Sequence, residues 1–187
     1  MRKLNAFTFT TLNGYFEGPG RDISWHRHGA EENEYAAEGL ASGSTLVFGR
    51  LTYQLMAGYW PTRMALENDP TVAKGMNEAE KIVFSRTLKK ADWNNTRIVS
   101  GDIVAEVKRM KESAVNDLTI LGSGSIVSQC AEHGLIDEFQ IMIDPVALGK
   151  GTSLFGTLSR KLDFILTGTK TFKSGVVLLS YRPVLNS

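Results

Sequence analysis

The sequence predicts a three-layer α/β domain on a mostly parallel sheet, with antiparallel strands at one edge. Short apolar or β-branched runs alternate with amphipathic segments through most of the chain, the pattern of strands joined by crossover helices. The last two strand-like runs are separated only by Lys173-Ser174-Gly175, which is a hairpin connection and not a crossover.

Leu4 to Thr10 alternates and is rich in aromatic and β-branched residues, a strand, and Asn13-Gly14 with Glu17-Gly-Pro-Gly20 makes an irregular loop after it. Ala30 to Leu40 reads as a helix with Tyr35, Ala36 and Leu40 on one side, and Ser44 to Phe48 as a buried strand ending at Gly49. Leu51 to Ala57 is a turn or two of helix closed by Tyr59-Trp60-Pro61, and the polar, weakly patterned stretch from Thr62 to Asn77 reads as a loop with helical pieces. Lys81 to Ser85 and Thr96 to Ser100 are the next buried strands. Asp102 is placed to cap a helix running to about Ser113, with Ile103, Val107 and Met110 facing inward. Leu118 to Leu121 is a strand, Ser125 to His133 a helix ended by Gly134, and Glu138 to Ile143 a strand stopped by Asp144-Pro145. Leu162 to Thr171 and Val176 to Arg182 form the terminal hairpin.

A chain of 187 residues with 42% hydrophobic and 22% charged residues is read as one domain, 1–187, able to bury a core without disulfides. The formal charge of +1 provides no field for nucleic acid or an anionic membrane. Cys130 is alone, which excludes an internal disulfide and suits a reducing compartment. No apolar run approaches the ~18 residues of a membrane span. The expectation is a cytoplasmic protein acting on a small molecule.

In such sheets ligands sit beyond the carboxyl ends of the strands, so Asn13, Gly49, Ser85, Ser100-Gly101, Gly122 and Asp144, which follow strands, should line one rim. Gly122-Ser123-Gly124-Ser125 joins a strand to a helix, and a helix start with small residues is a phosphate site. It lacks the third glycine of the dinucleotide fingerprint, because Val127 stands there. Gly49-Arg50-Leu51-Thr52 repeats the logic: Arg50 has a planar fork of donors and Thr52 a hydroxyl, although a plain strand-to-helix turn has the same form. Ser85-Arg86-Thr87 closes the next strand, and Arg50 with Arg86 could meet a 2′-phosphate, favouring NADP over NAD. Trp25, Tyr53, Tyr59 and Trp60 could stack on a heterocycle, with Tyr53 and Trp60 read as core instead. His26-Arg27-His28, His133 and Cys130 do not form a metal-ligand pattern, and Cys130 reads as an inert core thiol.

The order Leu12-Asn13-Gly14, Val47-Phe48-Gly49-Arg50-Leu51-Thr52, Phe84-Ser85-Arg86, Leu121-Gly122-Ser123-Gly124 and Pro145-Val146 through Gly149-Lys150-Gly151 to Leu154-Phe155 resembles the dihydrofolate reductase superfamily. Within it the chain is most similar to the reductase domain of the bifunctional riboflavin-biosynthesis deaminase-reductase. The resemblance implies a dihydrofolate-reductase-like fold and NADPH as cofactor. It implies that Gly49, Arg50, Thr52, Gly122, Ser123, Gly124 and Ser125 hold the pyrophosphate, that Ser85 and Arg86 meet the 2′-phosphate, and that Asn13 and Gly14 cover the nicotinamide. Trp25, Asn33, Asp144, Lys150 and Gly151 are the substrate candidates. Lys150 and Gly151 match a stretch beside a ribose phosphate, with a flexible loop as the alternative.

Two departures bear on the substrate. Folate reductases carry a carboxylate on the first helix, where counting back from Gly49 places Asn33; Asn33 and Glu34 are the candidates for catalysis, and Glu31, Glu32 and Glu34 are read as a solvated helix face. The Leu-Asp-Gly of the riboflavin branch is Leu12-Asn13-Gly14 here. The expectation is an NADPH-dependent reductase of a small nitrogen heterocycle, of the 5-amino-6-(5-phosphoribosylamino)uracil reductase type and homodimeric. The alternatives are a folate or pterin reductase, or an NADP-binding protein without turnover.

Overall fold

A computed structural model describes residues 1–184. In chain order these form β1 (Leu4–Thr11), β2 (Tyr15–Glu17), α1 (Ala30–Ala41), β3 (Thr45–Gly49), α2 (Arg50–Tyr59), α3 (Arg63–Asn68) and α4 (Pro70–Glu78). There follow β4 (Lys81–Phe84), β5 (Thr96–Val99), α5 (Ile103–Ser113), β6 (Leu118–Ile120), α6 (Gly124–Glu132), β7 (Glu138–Asp144), β8 (Thr152–Ser153), β9 (Phe164–Thr171) and β10 (Val177–Pro183). Eight strands make one sheet in the order β5-β4-β3-β6-β1-β7-β10-β9. Pairing is parallel from β5 to β7 and antiparallel at β7–β10–β9.

The central strands are apolar on both faces because both are covered. Leu46, Phe48 and Val83 pack with Tyr53 of α2, Val72 and Met76 of α4, and the flank of α1. The alternate residues Val47, Ile82, Phe84 and Ile120 pack with Val107 and Met110 of α5 and Ile126, Val127 and Cys130 of α6. Phe48 and Val47 are completely buried, and each such side chain contributes about 1.5–3 kcal/mol. Met142, Phe172, Val176 and Leu178 form a third cluster under Phe7, Phe9 and Tyr35. Tyr35 therefore serves a different cluster from Ala36 and Leu40, although the sequence places all three on one side of α1.

The stretch from Thr62 to Asn77, expected as a loop with helical pieces, is almost wholly helical, as α3 and α4. α3 is too short to show an amphipathic repeat and buries only Ala65, while α4 buries Val72, Ala73 and Met76 on one face. Thr62 caps α3 by accepting from the Ala65 N–H at 3.3 Å, and Pro70 opens α4. Gly75 of α4 lies so close to α1 that a Cβ there would sit 2.9 Å from Leu40 Cβ. The small β2–β8 pair also goes beyond the expected elements, since three residues and two residues carry no period of their own. The hairpin forms as expected, with β9 starting at Phe164, and Asp102 caps α5 through the Ala105 N–H at 2.8 Å. No helix among the described residues is long and apolar enough to cross a membrane.

Lys81 opens β4 with only 1% exposure. Its ammonium donates to the carbonyls of Met76, Asn77 and Ala79 at 2.8, 3.2 and 2.6 Å and lies 4.6 Å from the Trp93 ring centroid. Burial pushes its pKa down to about 8, and the carbonyl bonds are what make a buried ammonium tolerable. It thereby closes the carboxyl end of α4 against the sheet. Lys81→Met leaves three carbonyls without that donor, and urea denaturation is expected to show a loss of about 2–4 kcal/mol.

Candidate functional site

The parallel register creates a cleft. β6 stops at Ile120, level with Val47 of β3 and Ala6 of β1. β1 continues from Ala6 to Thr11, where it pairs with Asp144 of β7. Beyond Ile120 the chain stays with β3, through Leu121 N–H to Val47 O at 3.1 Å and Gly49 N–H to Gly122 O at 3.3 Å. It therefore leaves β1, and the gap opens between the carboxyl ends of β6 and β1.

Two helices start on the β3 side of that gap, α2 on one face of the sheet and α6 on the other. Neither start has a side-chain cap, so their first N–H groups and dipole ends remain available. They adjoin closely: a Cβ on Gly49 would lie 2.1 Å from Ser123 Oγ. Gly122 has φ 107°, a conformation that L side chains avoid, and Thr52 packs over it with both Oγ1 and Cγ2 at 3.4 Å from a Cβ built there. The Gly122–Ser123 peptide is cis. Phe16 crosses above Gly124, its ring 2.5 Å from where a Cβ would stand.

Gly49, Thr52, Gly122, Ser123, Gly124 and Ser125 are thus one cradle. Ser123 and Ser125 hydroxyls lie 3.2 Å apart. Arg50 lies along α2, donating to Gln54 at 3.0 Å. Ser85 and Arg86 follow β4, which is level with β3 at Gly49 and Phe84. Ser85 Oγ accepts from the Leu88 N–H at 2.9 Å, and Arg86 is exposed.

The opposite wall is β1. Gly14 has φ 83° and its N–H bonds Thr11 O at 2.9 Å. Asn13 takes Leu148 from both sides: its amide donates to Leu148 O at 2.8 Å and its carbonyl accepts from the Leu148 N–H at 3.2 Å. A carboxylate could not make the first of these bonds, which is a physical reason for Asn at a position where the resembling family has Asp. Gly151 packs against β2, where a Cβ would be 2.5 Å from Glu17 O. Gly151 and Lys150 border a separate open cavity of about 500 Å³ with Glu17 and Arg21.

Around α1 the outcome differs from a solvated acidic face. Glu32 is 5% exposed and accepts from the Ser174 hydroxyl, whereas Glu31 pairs with Lys173 at 2.8 Å at the surface, lowering its pKa, and Glu34 is exposed. Asn33 donates its amide to Asp69, which stands at the start of α4 without capping it. A carboxylate therefore does reach this position, from the α3–α4 junction. Asp-Pro at 69–70 is a helix-start signal, but nothing in the sequence aims it at Asn33.

Asp144 is completely buried and both oxygens are engaged, by His26 Nδ1 at 2.8 Å and the Arg27 N–H at 2.7 Å. His26 stacks on Phe9 with ring centroids 3.8 Å apart, and Trp25 meets Phe9 edge-on at 5.7 Å. Tyr53 is core and Trp60 packs beside it. Cys130 is buried, which pushes its thiol up to about 12. Among the described residues no His, Cys, Asp or Glu group is arranged to hold a metal ion.

A mixed sheet with this order, helices on both faces and a cleft at the carboxyl ends is the dihydrofolate reductase fold. It is shared with Enterococcus faecalis dihydrofolate reductase complexed with NADP(H), at TM-score 0.66, 14% identity and coverage of 97% of this chain and 96% of that one. The chain belongs to the RibD C-terminal domain family, whose model matches residues 2–178. It is similar to the uncharacterized protein YyaP of Bacillus subtilis (strain 168), 29% identical over 92% of this chain and 90% of that protein. A structure from Shewanella sp. PV-4, named for riboflavin biosynthesis, superposes at TM-score 0.76 with 21% identity, covering 98% of this chain and 99% of that one.

Asn13→Asp removes the donor to Leu148 O. Thermal unfolding at pH 7 is expected to show a loss of about 1–3 kcal/mol. Protonation restores a donor, so the carboxyl pKa is raised in the folded state and the deficit shrinks as pH falls through it.

Proposed function

We propose that this chain is an NADPH-dependent reductase of a small nitrogen heterocycle, of the 5-amino-6-(5-phosphoribosylamino)uracil reductase type. The observation that carries the reading is the pair of uncapped helix starts meeting at Gly49 and Ser123 beside the β6–β1 cleft. Backbone N–H groups of two dipoles at one place suit the two phosphates of a dinucleotide, while Gly124 leaves room for the Phe16 ring and Gly122 takes the φ that the turn requires. Thr52 adds a hydroxyl there, while Ser85 and Arg86 lie at the next strand end for the 2′-phosphate. When bound, the cofactor supplies a hydride. The protein orients the heterocycle against it between the cradle and the β1 wall, where Asn13 and Gly14 shape the loop. Lys150 and Arg21, beside their open cavity, supply positive charge for a phosphate on the substrate.

Asn33 is not itself an acid, but its contact with Asp69 returns a carboxylate to the α1 side. A pterin therefore belongs among the substrates to be tried. β9 lies at the sheet edge with Ile165 and Leu166 exposed, which supports a homodimer.

Fluorescence titration should show NADPH binding more tightly than NADH. Arg86→Ala should narrow that preference, and Gly124→Val should weaken both by more than tenfold because Phe16 must move; no binding of either nucleotide removes the reading. Sedimentation velocity at micromolar concentration should show a dimer, and a strictly monomeric species refutes the assembly.

A further inference from the structure

We infer that His28 delivers the proton in this site and that Asp144 and His26 are its positioning residues, an assignment that rests on the reductase reading. The chain of contacts begins at the end of β7. Asp144, completely buried, holds His26 Nδ1 at 2.8 Å. His26 is consumed: its side chain is 7% exposed, one face lies on Phe9, and the edge contact to His28 has centroids 4.5 Å apart at 78°. His28 is different. It is exposed, and its ring nitrogens have no hydrogen-bond partner among the described residues.

The placement fits the cleft. Phe9 lies three residues beyond Ala6, which is level with the last residue of β6; at about 3.3 Å per residue that is ~10 Å along the open wall. β1 and β6 are neighbours about 4.8 Å apart where they pair. The imidazole pair on Phe9 therefore lies on the α1 face of β1, past the level at which β6 ends.

Charges of both signs surround His28. His26 from the same loop opposes protonation, while Asp144 of β7, Asp69 of the α3–α4 junction and Glu32 of α1 favour it. Partial desolvation is the largest influence and His26 the next, and together they hold its pKa below the ordinary 6.5. Asp69 is fixed by Asn33, and Glu32 by Ser174. In the reaction, a C=N bond takes a hydride at carbon from NADPH, leaving NADP⁺: the bond from the exocyclic nitrogen to the opened ribose carbon in the phosphoribosylamino substrate, or the ring C=N in a dihydropterin. Its nitrogen takes the proton of the His28 imidazolium, whose N–H bond breaks; the imidazole then regains a proton from water. Two electrons and two hydrogens are added to the substrate.

The test follows NADPH oxidation against 5-amino-6-(5-phosphoribosylamino)uracil and a panel of dihydropterins between pH 5 and 8. In the unaltered protein kcat should fall as pH rises through the His28 pKa. H28Q should lower kcat by at least about 100-fold, the scale of a lost general acid, abolish that pH limb and leave NADPH affinity within about twofold. H26Q and D144N should shift the limb and lower kcat less. Unchanged kcat in H28Q overturns the assignment while leaving the reductase reading intact. A second readout needs no turnover: in protein labelled with ¹⁵N-histidine, saturating NADPH should move the His28 titration curve. Binding of NADPH without that movement overturns the His28 role, whereas no NADPH binding overturns the reductase reading and this assignment with it.

Discussion

The chain's departure from β1 after Ile120 is the constraint on which the rest depends. A parallel strand that ended level with its neighbours would hand its helix directly to the sheet face and leave a closed rim. Here Leu121 and Gly122 keep their hydrogen bonds to β3 and abandon β1, and that single divergence opens the cleft and brings the start of α6 against the start of α2. The glycines follow from it. Side chains at 49 or 124 would occupy the space of Ser123 or Phe16, and Gly122 takes a φ that other residues avoid.

The two walls of the cleft differ in chemistry. The β3 side is backbone: N–H groups, hydroxyls and small residues, suited to phosphate oxygens that need donors and close approach. Along β1 the chemistry is in side chains: Phe9 meets Trp25 and His26, His26 meets His28, and a buried carboxylate anchors the group. Burying Asp144 is tolerable because both its oxygens accept hydrogen bonds. The same bonds bind the segment before α1 to the end of β7, and Arg27 ties it to the hairpin turn through Ser174 O at 2.7 Å.

Most of the fold was legible because its elements carry their own period. Leu46-Val-Phe48 and Ile82-Val-Phe84 announce strands covered on both faces, Asp102 announces a helix start, and Lys173-Ser-Gly175 a hairpin turn. The cradle was legible for a related reason: Gly49, Thr52 and Gly122 to Ser125 sit where local strand-to-helix turns alone place them. The helices between Thr62 and Asn77 were legible only as helical pieces within a loop, since α3 buries a single residue and most of the stretch is polar. Glu32 is buried and not solvated because its surroundings depend on Ser174 and the hairpin, which lie 142 residues away.

By itself, then, the sequence determined the layered architecture, the carboxyl-end rim and the residue types of the two glycine-bearing helix starts, all set by interactions within a few residues along the chain. Only the tertiary structure decided which side chains complete the site. The His26–Asp144 bond spans 118 residues and the Asn33–Asp69 bond 36. A hydrogen bond depends on distance and direction in space, and sequence separation says nothing of either.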